Sequence, residues 1–118
     1  MIGYELIANF RRNQLANTVG NDFHNACTGN AEALVIAARF YRHAERPRSR
    51  RPEHWPFDHA LWRPHDKLTN LVIAGALYQE ASELKEKQQR DGSLHQHAAN
   101  EVAEEINNLL ITYSRLAA

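Results

Sequence analysis

Apolar residues return every three or four positions along most of the chain, and that period predicts helices. Over residues 2–18, Ile2, Leu6, Ile7, Phe10 and Leu15 recur at helical spacing with Glu5, Asn9, Arg12 and Asn13 between them. Val19-Gly20-Asn21-Asp22 breaks the pattern, so a loop through His24, Cys27 and Gly29 is expected to lead into a second helix over residues 31–43. Leu34, Ala37, Ala38 and Tyr41 form its stripe, widened by Val35, Ile36 and Phe40, while Arg39 and Arg42 can point outward on their long stems.

Residues 45–65 hold all four prolines together with Arg46, Arg48, Arg50 and Arg51. Proline removes a backbone donor and biases its predecessor toward extended geometry, so a long irregular loop is expected there. Asp66 is suited to cap a third helix over residues 67–90, whose first half is apolar all round through Leu71, Val72, Ile73, Ala74 and Leu77. Such a helix belongs at the centre of a bundle or in an oligomer interface, and Gly75 would let a neighbour approach closely. Asp91-Gly92 then closes it, with the glycine suited to a left-handed cap, and Ser93 is expected to cap a last helix over residues 94–116 with the stripe Val102, Ile106, Leu109, Tyr113 and Leu116. No segment alternates with period two. The fold class expected is therefore all-α: a small helical bundle of about four helices, with a long Pro/Trp/Arg-rich loop and a C-terminal antiparallel helical hairpin.

A chain of 118 residues with 43% apolar and 24% charged residues fits one globular domain, residues 1–118. One cysteine, Cys27, excludes an internal disulfide, and with no apolar leader segment the expected location is the cytoplasm. The nearly uncharged run Leu68 to Gln79 is much shorter than the ~20 residues of a membrane helix, so no membrane span is expected. Net charge is zero but uneven. Residues 1–51 carry eight Arg against four acids, and residues 52–118 carry six Lys and Arg against ten acids. An electrostatic partner, or two halves of one fold that attract each other, would both explain it.

Candidate chemistry is confined to four carboxylates. Glu80 with Glu83, and Glu101 with Glu104, stand one helical turn apart on the two arms of the hairpin. Such pairs can hold a hard cation such as Mg²⁺, or can be two solvated faces. The segment Gln79-Glu80-Ala81-Ser82-Glu83 followed by Glu101-Val102-Ala103-Glu104 resembles the MazG-like nucleotide pyrophosphohydrolases, which carry Glu-Glu-x-x-Glu on one helix and Glu-x-x-Asp on the next. Gln79 stands where that family has its first Glu, and Glu104 replaces the Asp. The resemblance implies that Glu80, Glu83, Glu101 and Glu104 ligate Mg²⁺ and that a metal-activated water attacks a nucleoside triphosphate in a dimeric enzyme. Helical geometry sets Glu104 almost opposite the apolar stripe, with Glu105 nearer its edge.

Both tryptophans lie in His54-Trp55-Pro56-Phe57-Asp58-His59-Ala60-Leu61-Trp62-Arg63-Pro64-His65-Asp66. With the Leu71-Val72-Ile73-Ala74-Gly75-Ala76-Leu77 helix that follows, this segment is similar to one in small proteins of tailed phages and prophages. That resemblance implies an origin and brings no established activity. Trp55, Phe57 and Trp62 can plug the open end of the bundle. Alternatively they can join Arg48, Arg50, Arg51 and Arg63 in a hot spot that binds and inhibits a host protein or defence complex.

The remaining motifs point less far. His54, His59 and His65 in the loop and His95 and His97 near the last helix lack the paired Cys/His spacing of a zinc site, and no catalytic signature surrounds Cys27. Arginines 46–51 could contact phosphates, yet a neutral chain without a helix-turn-helix pattern makes nucleic acid an improbable partner. Two functions therefore follow from the sequence: an accessory protein with a MazG-like core, possessing or lacking its Mg²⁺ chemistry, or a non-enzymatic inhibitor that acts by binding. A homo-oligomer, most simply a dimer, is expected in either case.

Overall fold

The computed structural model describes residues 2–16 and 22–117. Five helices carry the fold: α1 (Ile2–Ala16), α2 (Asp22–Cys27), α3 (Ala31–His43), α4 (Lys67–Lys87) and α5 (Ser93–Ala117). The protein is an all-α helical bundle, with no strand among the described residues. No helix among them is long and apolar enough to cross a membrane.

α4 is the axis of the molecule. It packs against α3, α5 and α1, while α1 also contacts α5. Residues 70–78 are buried without interruption, as expected of a helix that lacks a polar face. At Gly75 the Ile7 side chain of α1 lies where a Cβ would project, and at Gly3 the carbonyl of Ala103 on α5 does the same. α1 can sit this close because glycine offers no side chain at those two crossings. With α1 on one flank of the α4–α5 hairpin and α3 on the other, the core runs from Ile7 through Leu77 and Val102 to Leu34 and Tyr41.

Local chemistry sets most boundaries. Asn30 caps α3 by accepting from Glu32 N at 3.1 Å, and Asp66 caps α4 by accepting from Thr69 N at 2.9 Å. Four local expectations are corrected. The segment expected as loop between residues 19 and 29 contains α2, six residues too short to show a helical period; residues 17–21 lie outside the described part. α4 ends at Lys87 rather than 90, and the left-handed residue that follows it is Gln89 (φ 58°), not Gly92. Gly92 instead lies against the backbone of Ser82, whose hydroxyl donates to Gly92 O at 2.8 Å. Ser93 is the first residue of α5, and Asp91 accepts from its N–H at 2.9 Å. Among the described residues the longest stretch between helices is the coil of residues 44–66, which itself includes a 3₁₀ turn at His59–Leu61.

Candidate functional site

That coil is fixed by its own side chains. Trp55 is 9% exposed and donates from Nε1 to Asp58 O at 3.0 Å, while Trp62, half-buried, donates from Nε1 to Ser49 O at 2.9 Å. The Tyr41 hydroxyl donates to Leu61 O at 3.1 Å and accepts from Arg63 N at 2.9 Å, which couples the coil to α3. Burial holds this phenol above its ordinary pKa, so it stays a donor over the physiological range. Phe23, Trp55 and Trp62 pack on its ring with centroids 6.2, 5.9 and 4.8 Å away, and Phe40 and Phe57 pack in turn on Trp55 at 6.3 and 5.9 Å. Trp55, within the hydrophobic core, and Phe57 and Trp62, packed against it, form an aromatic plug between the coil and α3.

The surface this plug supports is basic. Arg46, Arg48, Arg50, Arg51 and Arg63 are exposed, and Arg63 Nε donates to Ala60 O at 2.9 Å. Beside them Phe40, His43, Ser49 and Trp62 wall a groove of about 490 Å³ with Arg46 and Arg50 at its edge. Glu45 contributes an acid there, but it is engaged by Lys67 Nζ at 3.1 Å. The arrangement presents guanidinium donors above an aromatic floor, a chemistry that suits carboxylates or phosphates attached to a less polar body. Sequence reasoning singled out Arg63 and the run Arg46, Arg48, Arg50 and Arg51 but missed Phe40, His43 and Ser49 as neighbours. Only the fold brings the end of α3 beside the coil.

The four carboxylates of the hairpin separate. Arg11 of α1 grips Glu83 bidentately, with Nη1 to Oε1 at 2.8 Å and Nη2 to Oε2 at 2.5 Å, and also donates to Gln79 Oε1 at 3.3 Å. Glu80 lies close enough to raise the Arg11 pKa, after the larger effect of the Glu83 hydrogen bond. The guanidinium in turn holds the Glu83 carboxyl below the ordinary range. A fixed side-chain cation thus stands over the first pair, where the MazG-like pattern would have a metal. On the opposite flank Arg42 of α3 binds Glu105 bidentately at 3.0 Å and reaches Glu101 at 3.8 Å, and His97 lies 3.4 Å from Glu101. Glu104 is exposed on the outer face of α5.

Among the described residues no three His, Cys, Asp or Glu side chains are grouped so as to hold a metal ion. Glu83 turns toward α1, Glu101 toward α3 and Glu104 toward neither. The basic first half and acidic second half of the chain are partly joined by the Arg11–Glu83 and Arg42–Glu105 pairs, which the charge count alone could not assign. Cys27 and His95 are both buried, and neither belongs to a metal-binding group among the described residues. In comparisons with known proteins the chain matches no family model, no curated protein and no solved structure.

Proposed function

We propose that the chain is a non-enzymatic binding protein whose arginine-lined groove grips an acidic segment of a partner protein. The observation that carries this reading is the rigid presentation of Arg46, Arg48, Arg50 and Arg51 on a coil tied down by the Trp62 indole and the Tyr41 hydroxyl. Guanidinium groups held in place lose less freedom on pairing with carboxylates than groups on a loose loop. The resemblance of Trp55 to Asp66 to phage proteins makes the partner a host protein that this chain inhibits by occupying it. The same proposal takes the chain to be a homo-oligomer, because α5 leaves apolar side chains in solvent.

The Mg²⁺-dependent pyrophosphohydrolase reading rests on the spacing of Glu80 with Glu83 and Glu101 with Glu104. It requires Arg11 to leave Glu83 and the second pair to turn inward, so the binding reading is the stronger one.

A fluorescein-labelled peptide alternating Glu with Gly, titrated with the protein at low and physiological salt, tests it. Binding should quench Trp62 emission, and the double variant Arg46→Glu, Arg50→Glu should weaken it about tenfold or more without lowering the melting temperature. Equal affinity for the charge-reversed protein would overturn the proposal, as would preference for a single-stranded oligonucleotide. So would Mg²⁺-dependent pyrophosphate release from a nucleoside triphosphate that Glu80→Gln abolishes.

A further inference from the structure

We propose that two copies of this chain pair through the outer face of α5, antiparallel, about a twofold axis between residues 109 and 110. α5 outruns its neighbours: Ile106 is its last buried residue, and residues 111–117 are exposed. Ile111 is 49% exposed and Ile2, at the start of α1, 56%. With half-buried Leu110 they line a shallow depression of about 520 Å³ edged by Glu104, Asn107 and Asn108. Isolated apolar side chains at a surface need no explanation, but a group gathered in one depression marks a place of contact.

Helical register and charge identify the occupant. At about 100° per residue, Glu104, Asn108, Ile111 and Arg115 share one ridge, alternating steps of four and three as the seam of a helix pair requires. Glu104 and Arg115 are exposed, and neither has an ion-pair partner among the described residues. They stand at equal distances on either side of the proposed axis, about 16 Å apart along the helix. Antiparallel pairing sets Glu104 of one copy against Arg115 of the other at both ends of the seam. It places Asn108 beside Ile111 of the second copy on either side of the axis. Parallel pairing would oppose acid to acid and base to base. A face that carries its own complement on both sides of one point is what a twofold, self-complementary contact needs, and Asn108 within the seam penalises other registers.

The inference rests on the reading of the chain as a homo-oligomer and not on the arginine groove. Sedimentation equilibrium of the full chain, over protein concentrations from low micromolar to several hundred micromolar, tests it. The expected result is a reversible dimer. Glu104→Arg and Arg115→Glu should each weaken it about tenfold or more, since each places like charges together at both ends. The double variant restores opposite charges and should recover most of the loss. Ile111→Asp should leave a monomer. All three positions are surface positions, and circular dichroism melts matching the unsubstituted chain establish that each variant is folded. A monomer at every concentration would overturn oligomerisation itself. A dimer indifferent to the charge exchange would overturn this face and leave oligomerisation standing.

Discussion

The side chain of Asn70 donates from Nδ2 to the carbonyl of Ala44, 3.1 Å away and twenty-six residues earlier in the chain. The same amide accepts from His65 N at 2.7 Å and donates to His65 O at 2.8 Å, so a fully buried side chain on α4 clips both ends of the long coil. Asn70→Leu keeps the branched four-heavy-atom skeleton and strands three backbone groups. Stability should fall by about 2–4 kcal/mol in urea unfolding, because a stranded buried group loses its full solvation. A loss below ~1 kcal/mol would mean that water replaces the clip.

Trp62 and Arg50 line the same groove but should behave differently. Removing the indole opens a void beneath Tyr41 and orphans Ser49 O, so Trp62→Ala should cost about 3–5 kcal/mol. Arg50→Ala should stay within about 0.5 kcal/mol, as expected of an exposed side chain, and act only on peptide binding. Thermal melts of the two variants beside anisotropy titrations separate the roles.

The crossing of α1 over α4 is tight at Gly75. Gly75→Ala places a methyl group against Ile7 and should destabilise by about 1–3 kcal/mol. Ile7→Val removes the atom that suffers most, so in a double-mutant cycle the second substitution should cost less in the Gly75→Ala background than alone. Additive losses would show that α1 shifts as a body.

Acid should unfold the protein in two stages. Burial, reinforced by Lys85 and Arg39 and partly offset by Glu32, holds His95 below its ordinary pKa. The unfolded chain therefore takes this proton first, and stability falls as pH drops below the unfolded value near 6.5 until the folded group also protonates. Glu83 and Asp66 are likewise depressed, by the Arg11 and Thr69 hydrogen bonds. Their contributions are complete above the unfolded carboxylate values of about 4 and vanish as pH falls through the lower folded ones. Melting temperatures measured from pH 8 to 3 should show both stages, and His95→Gln should remove the first alone.

Arg11 already supplies a positive charge to Glu83 and stands near Glu80. Millimolar Mg²⁺ should accordingly leave the melting temperature of the chain unchanged. A rise of several degrees, lost in Glu80→Gln, would show that the cation displaces the guanidinium and is held by the folded state.

What the sequence revealed depended on how local the cause was. α3 and the start of α4 were legible because Asn30 and Asp66 act on backbone two or three residues away and their stripes run for several turns. Gly75 was legible too, as the small residue on an otherwise fully apolar helix. α2 was not, since six residues complete no repeating pattern. The Glu-x-x-Glu spacings were correct as spacings, yet their meaning depended on Arg11 and Arg42, whose reach across the bundle is set by helix packing. The outer ridge of α5 was also hidden, because Glu104, Asn108 and Arg115 are polar and the single Ile111 among them makes no apolar stripe.

The aromatic plug has one more consequence. A segment without regular secondary structure ordinarily freezes when it meets a target and surrenders affinity in doing so. Here the indole and phenol bonds complete that freezing during folding, so the groove should recognise shape with the selectivity of a mould and should discriminate against acidic sequences that cannot follow its contour.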